Sequence, residues 1–338
     1  MPFTSIASGF RTDARWAGCG GVVGPVPSTA LDGQDVQVAK AKNILTAFGG
    51  SLGLVPASRI DDLLAIASSA LTVEQIATPD PLALPASASA HEALNDLRAR
   101  SFDFALIDES PLGRYVTVAA LEIADGHATL QDVAKPITTR ELIAAGAGLA
   151  DGIERLAQLP VLFVFRRDGK LGIITTADLQ RPAVGMIALS YVLVAEAGLV
   201  TVLERQLGSG LLEALRAALS PVALERAEGL HELKRQRHAE LTLAASLTLS
   251  HRLEVVRCSA ELRHLLGYES KRAVEAEKKR LTHIRDALAH AGDMLSAADG
   301  DPARAIRELA LTRSFAEKVR GALQQLGVSP SGGLSLPN

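Results

Sequence analysis

The chain of 338 residues is 48% hydrophobic and carries a formal net charge of −3, with a mean hydropathy of +0.19 and only 4% aromatic residues. That length exceeds one ordinary core and suits two compact domains with flexible ends, while an interior drawn from Ala, Leu, Val and Ile favours helices and close packing. Two cysteines far apart, Cys19 and Cys258, exclude a disulfide framework and a cysteine-rich metal site and imply a reducing, cytoplasmic setting.

Residues 1–35 are rich in Gly, Pro, Ser and Thr without periodicity and read as a flexible arm; Arg11 and Arg15 interrupt it before any apolar run could form a signal peptide. Residues 36–78 hold two apolar-periodic runs, VAKAKNILTAF and SRIDDLLAIASSALTVEQIA, predicted as short helices around a Gly-rich break, with no role assigned. Between 79 and 182 one order of elements occurs twice, in HEALNDLRARSFDFALIDESPLGRYVTVAAL and again in LADGIERLAQLPVLFVFRRDGKLGIITTADL: helix, apolar strand, polar turn, second strand, helix start. One copy alone leaves an apolar face exposed, so the two are expected to pack together. From 183 to 327 strand signals cease, and runs at helical spacing over 186–207, 211–219, 224–250, 253–266, 271–291 and 304–326 predict a bundle. Residues 328–338 read as a disordered tail. The fold class is therefore α+β, two small α/β units followed by an all-α bundle. The apolar stretch 185–203 contains Ser190, Tyr191 and Glu196, which suits a buried interface helix better than a membrane span.

Charge is unevenly spread. Residues 226–290 hold 13 Lys and Arg against 9 Asp and Glu, with six of the eight histidines (His231, His238, His251, His264, His283 and His290). Taken alone, this is better explained by a solvated helix face than by a binding surface.

The second α/β copy carries Gly172-Ile173-Ile174-Thr175-Thr176-Ala177-Asp178-Leu179. A strand ending at Ile174 would place the Thr175 hydroxyl and nearby amides at a helix start, where they can receive phosphate, with a carboxylate one turn on for the ribose hydroxyls. The pattern resembles the ligand signature of CBS (cystathionine-β-synthase) repeats. That resemblance implies a nucleotide-sensing pair over 79–182, binding AMP, ADP or ATP, with Thr175 and Thr176 near phosphate or ribose, Asp178 on the ribose, and Arg114, Arg166 or Arg167 as phosphate partners. In the first copy, Arg114 replaces the glycine and Ala120 the carboxylate, so one competent site per pair is expected. The plain alternative is that Thr-x-x-Asp forms a helix capping box.

The fifth helical run ends in His283-Ile284-Arg285-Asp286-Ala287-Leu288-Ala289-His290. Arg285-x4-His290, with polar Asp286 after the arginine, resembles the signature of HEPN (higher eukaryotes and prokaryotes nucleotide-binding) ribonucleases; Arg226 and His231 share the spacing without the surrounding frame. The resemblance implies a metal-independent endoribonuclease in which His290 acts as acid or base on the 2′-hydroxyl and Arg285 stabilises the phosphate, leaving 2′,3′-cyclic phosphate ends. Five helical steps turn the two side chains about 140° apart, so a complete site is expected across a homodimer formed through the bundle, and through the CBS pair as well. Both residues also suit the negative end of a helix dipole. Zinc shared by His283, Asp286 and His290 is disfavoured, because seven residues separate the histidines by about 10.5 Å. The sequence thus supports a nucleotide-regulated ribonuclease acting on RNA without a catalytic cofactor. The alternative is a non-catalytic nucleotide sensor whose helical domain docks RNA or a protein.

Overall fold

The computed structural model describes residues 65, 69–108, 113–237, 242–291 and 293–328; the arm expected over 1–35, nearly all of the tail and most of the 36–78 segment lie outside them. The first unit is β1 (Ala83–Leu84), α1 (Ala90–Arg100), β2 (Phe104–Ile107), β3 (Arg114–Thr117) and α2 (Val118–Glu122). After α3 (Leu130–Val133) and β4 (Lys135–Pro136), the order returns as β5 (Leu142–Ala144), α4 (Leu149–Arg155), β6 (Val161–Phe165), β7 (Leu171–Thr175) and a 3-10 turn, Thr176–Gln180. In both units the first two strands are parallel across the helix and the next pair antiparallel. The repeat read from sequence is therefore a repeat of topology.

Local chemistry explains these elements. Helix α1 buries Ala90, Ala93, Leu94 and Leu97 on one face and ends where Ser101 turns left-handed (φ 56°), its N–H donating to the carbonyls of Leu97 and Arg98. The uninterrupted apolar run of β6 is buried on both faces up to Val164.

Residues 71–78 do not continue the helix expected there. Val73–Gln75 form one 3-10 turn, started by a capping box between Thr72 and Gln75. That turn holds the start of α4, with Val73 N–H donating to Ala147 O (3.0 Å) and Leu149 N–H to Leu71 O (2.9 Å). The segment entering α3 does the same for the first unit: Thr129 and Asp132 form the capping box, and Leu130 N–H donates to Ala88 O (2.9 Å). Each unit is thus clasped by the segment that precedes the other in sequence.

The helical region comprises α5 (Pro182–Leu207), α6 (Leu211–Ala218), α7 (Pro221–Arg237), α8 (Leu243–Ser246), α9 (Leu249–Cys258), α10 (Ala260–Leu265), α11 (Lys271–Ala291), α12 (Met294–Ala297) and α13 (Pro302–Gln325). The runs expected over 224–250 and 253–266 are broken into shorter helices. Thr242, Thr248 and Ser259 each take an N-cap position, their hydroxyls accepting from the N–H of Ala245, His251 and Leu262. Helix α5 packs along α13, and α9 along α11. Although α5 is apolar enough to cross a bilayer, 72% of its apolar window is buried inside the protein. Its buried Val184, Ile187, Tyr191, Val192, Leu199 and Leu203 make it the central core helix.

The apolar clusters divide unevenly. Ile153, Val164, Ile174 and Leu179 of the second unit belong to the same cluster as Tyr191 of α5, Ile284 of α11 and Phe315 of α13. The first unit has its own cluster around Leu94, Leu97, Ile107 and Val116. Between the units, Tyr115, Val161, Phe163 and Leu171 form a third, with the Tyr115 and Phe163 ring centroids 4.7 Å apart. The second unit is built into the bundle, and the first leans on it.

Candidate functional site

Two places follow from the residues singled out by sequence. At the first, β7 ends in Thr175 and the 3-10 turn begins. Gly172 leaves room for Thr78, which runs antiparallel beside β7: Thr78 N–H donates to Ile173 O (2.8 Å) and Ile173 N–H to Thr78 O (3.0 Å). A Cβ on Gly172 would meet that Thr78 carbonyl oxygen at 3.0 Å. Thr175 caps the turn, its hydroxyl accepting from Ala177 N–H (3.3 Å). Asp178, 8% exposed, completes the capping box by accepting from Thr175 N–H on Oδ2 (2.8 Å), while Oδ1 accepts from Arg181 Nε (3.0 Å). Thr176 is half-buried beside them.

The structural alternative for Thr-x-x-Asp is therefore realised: the motif does cap a helical turn. Its oxygens keep further lone pairs, since a carboxylate offers about four acceptor sites. The basic residues expected around phosphate divide. Arg114 is occupied elsewhere, donating to the carbonyls of Gln131 (2.9 Å) and Ala134 (2.5 Å), so that it braces the segment around α3. Arg166 donates to Pro79 O (2.9 Å) and pairs with Asp168 (3.2 Å), fastening the strand-like segment beside β7. Both guanidiniums thus spend donors on backbone carbonyls of the segments that clasp the two units. Arg167 is exposed. Sequence reading missed Arg181, which bridges Asp178 and, at 3.4 Å, the Thr78 hydroxyl; the signal was its i,i+3 spacing from Asp178.

The second place is the face of α11. Arg285 and His290 point to different surroundings. Arg285 Nε lies 2.8 Å from Oε1 of Glu196 on α5, and its NH1 lies 3.6 Å from the Asp286 carboxylate. Glu196 is 5% exposed and also faces Arg252 at 3.9 Å. Arg252 in turn donates to the carbonyls of Ala244, Ala245 and Glu196. Burial pushes the Glu196 carboxyl above the usual glutamate range, with Arg285 and then Arg252 opposing the shift and Asp286 adding to it. Burial likewise lowers the Arg252 guanidinium from its ordinary value, against the pull of Glu196.

His290 is exposed and lines a shallow cavity of about 610 Å³ with Ser250, Lys279, Thr282, His283 and Asp286. Lys278 also borders it but is paired with Glu254 (2.6 Å) and Glu275 (2.7 Å). His283 Nε2 sits 3.2 Å from Ala297 O. Arg285 does not line this cavity, so within one chain the arginine and histidine of the motif are not brought together; Asp286 alone touches both environments. The helical phase of about 140° accounts for the separation. Among the described residues, no three His, Cys, Asp or Glu side chains converge as a metal site.

No family model and no curated protein matches the chain. Among solved structures, the CBS-pair protein CBSX2 from Arabidopsis thaliana is 20% identical over 34% of this chain and 94% of its own, with a TM-score of 0.29. The CBS domain protein TA0289 from Thermoplasma acidophilum is 14% identical over 36% of this chain and 75% of its own, with a TM-score of 0.28. The cytosolic domain of the Mg2+ channel MgtE, in complex with ATP, is 20% identical over 30% of this chain and 44% of its own, with a TM-score of 0.26.

Proposed function

We propose that this chain is a nucleotide-responsive regulator: a CBS-type pair takes an adenine nucleotide (AMP, ADP or ATP) at the Thr175–Asp178 corner and passes the event to the helical bundle. The observation that carries the reading is the continuity of the corner with α5. Asp178 holds Arg181, and Arg181 is the residue from which α5 starts. Fifteen residues further along, about 22 Å at the helical rise, α5 presents Glu196 to Arg285. A ligand that engages Asp178 therefore acts on the first residue of the helix that organises the bundle. Calorimetric titration of AMP, ADP and ATP tests it. At least one is expected to bind the wild type and to lose about tenfold or more in affinity with Asp178→Ala. No binding by any of the three overturns the reading.

A second reading, a metal-independent ribonuclease with RNA as substrate, is favoured by one feature, the cavity around His290 with Lys279, Thr282 and His283 as phosphate-seeking donors. It requires Arg285 from a second copy of the chain, in a homodimer built through the bundle. His290→Ala decides the matter, since an exposed histidine is removable without unfolding: RNA cleavage by the wild type that vanishes in the variant supports it. Cleavage that survives, or an inactive wild type that still binds nucleotide, leaves the regulator alone.

A further inference from the structure

We infer that Arg181 is a built-in competitor for ligand at Asp178, a specificity-setting residue whose guanidinium must leave the carboxylate before a ribose diol can be gripped. The inference rests on the nucleotide reading and goes beyond it. Asp178 Oδ2 is turned into its own capping box, 2.8 Å from Thr175 N and 3.4 Å from Thr175 Oγ1. Oδ1 is then the oxygen most available to an incoming hydroxyl, and Arg181 Nε stands on it at 3.0 Å. The Asp178 side chain is only 10% exposed, which leaves little room for guanidinium and diol together, whereas the Arg181 side chain is 43% exposed and rehydrates readily once displaced. A second tether, Arg181 NH2 to the Thr78 hydroxyl at 3.4 Å, ties the guanidinium to the segment that clasps the second unit.

The chemistry is an exchange of acceptors without any bond made or broken. Two neutral hydroxyls replace one charge-assisted donor on the carboxylate, so the exchange is costly unless the ligand's base and phosphate contribute elsewhere. Ligands lacking phosphate should feel the competition most. Because Arg181 is also the residue at which α5 starts, displacement of its side chain is the local event that a bound ligand imposes on the bundle.

Adenosine and AMP binding, measured calorimetrically on the full chain, tests the competitor. Arg181→Ala is expected to tighten adenosine roughly 3- to 10-fold, the range of a lost partly exposed charged contact. Thr78→Val, which loosens the second tether and leaves both Asp178 and α5 intact, is expected to tighten it about twofold. Should Arg181→Ala reduce helix content, the Thr78 variant carries the decision alone. Unchanged or weaker adenosine binding in both variants overturns the competitor, as does AMP weakening alone, which would mark Arg181 as a phosphate contact. Failure of wild type and both variants to bind either compound sinks the nucleotide reading itself.

Discussion

Glu196 of α5 and Arg285 of α11 meet at 2.8 Å in a setting where the carboxylate is almost wholly enclosed and the arginine side chain remains 42% exposed. The asymmetry decides what each partner contributes. Arg285 can rehydrate if the contact is lost, but Glu196 cannot, and its other partner, Arg252, stands 3.9 Å away with its donors already on three backbone carbonyls. The arginine of the Arg-x4-His motif is thus engaged in holding α5 to α11.

Truncating the two partners should therefore have unequal and non-additive effects. Glu196→Ala leaves Arg252 buried without its counter-charge and is expected to cost about 3 kcal/mol or more. Arg285→Ala, discounted for exposure, is expected to cost about 1 kcal/mol. Urea unfolding of the single and double variants should give a coupling energy of at least about 0.5 kcal/mol. Costs that simply add would show that the contact is incidental.

The same carboxylate has a pH signature. Burial raises its pKa in the folded state above the ordinary glutamate value, so across that window the native protein holds a proton that the unfolded chain has released. The native state binding more protons means that stability falls as pH rises through the window. Glu196→Gln abolishes this slope while keeping the shape. The stability of the wild type relative to Glu196→Gln is thus expected to be greatest near pH 4 and to decline towards pH 7. A difference that grows with pH would contradict the assigned direction.

Much of this arrangement was legible in the residues, and the gaps have physical causes. The uninterrupted VLFVF of β6 and the Gly-Ile-Ile-Thr-Thr-Ala-Asp corner are local signals, and each stands where its chemistry puts it. The clasp by residues 71–78 was hidden because Leu71, Val73 and Ile76 fit helical spacing as well as they fit one 3-10 turn; the echo of Thr72-x-x-Gln75 in Thr129-x-x-Asp132 was the signal that went unused. Helix breaks at Thr242, Thr248 and Ser259 were likewise masked by surrounding leucines. The carbonyl contacts of Arg114 and Arg166 were not legible, because nothing in one sequence says which backbone oxygen a guanidinium will meet.

Gly152 reports on that clasp directly. A Cβ there would come within 2.4 Å of Val73 Cγ1, a fully buried atom on a side chain with few rotamers. In the middle of α4, alanine is intrinsically better than glycine by about 1 kcal/mol, yet overpacking costs about 1–3 kcal/mol. Gly152→Ala is therefore expected to lower the melting temperature, and adding Val73→Ala to recover most of the loss. If the two substitutions destabilise additively, the turn over 73–75 does not press on α4 as described.

The uneven division of the core sets the order of opening. Among the described residues, the first unit's cluster comprises ten buried residues, four of them alanine, whereas the second unit shares the extended cluster of α5, α11 and α13. Small apolar clusters open at lower free energy than the core they adjoin. Arg313 of α13 also pairs with Asp151 (2.7 Å) and Glu154 (3.2 Å) of α4, binding the second unit further to the bundle. The Tyr115–Phe163 contact couples the units through the third cluster and adds nothing to the first unit's own. Native-state hydrogen exchange should thus find the amides of β2 and β3 opening roughly 2 kcal/mol or more below those of β6 and β7, which should exchange together with α5. Equal protection across all four strands would mean that the pair unfolds as one body. A ligand at Asp178 would then act on a unit already locked to the bundle, with the first unit carried along rather than free to close over it.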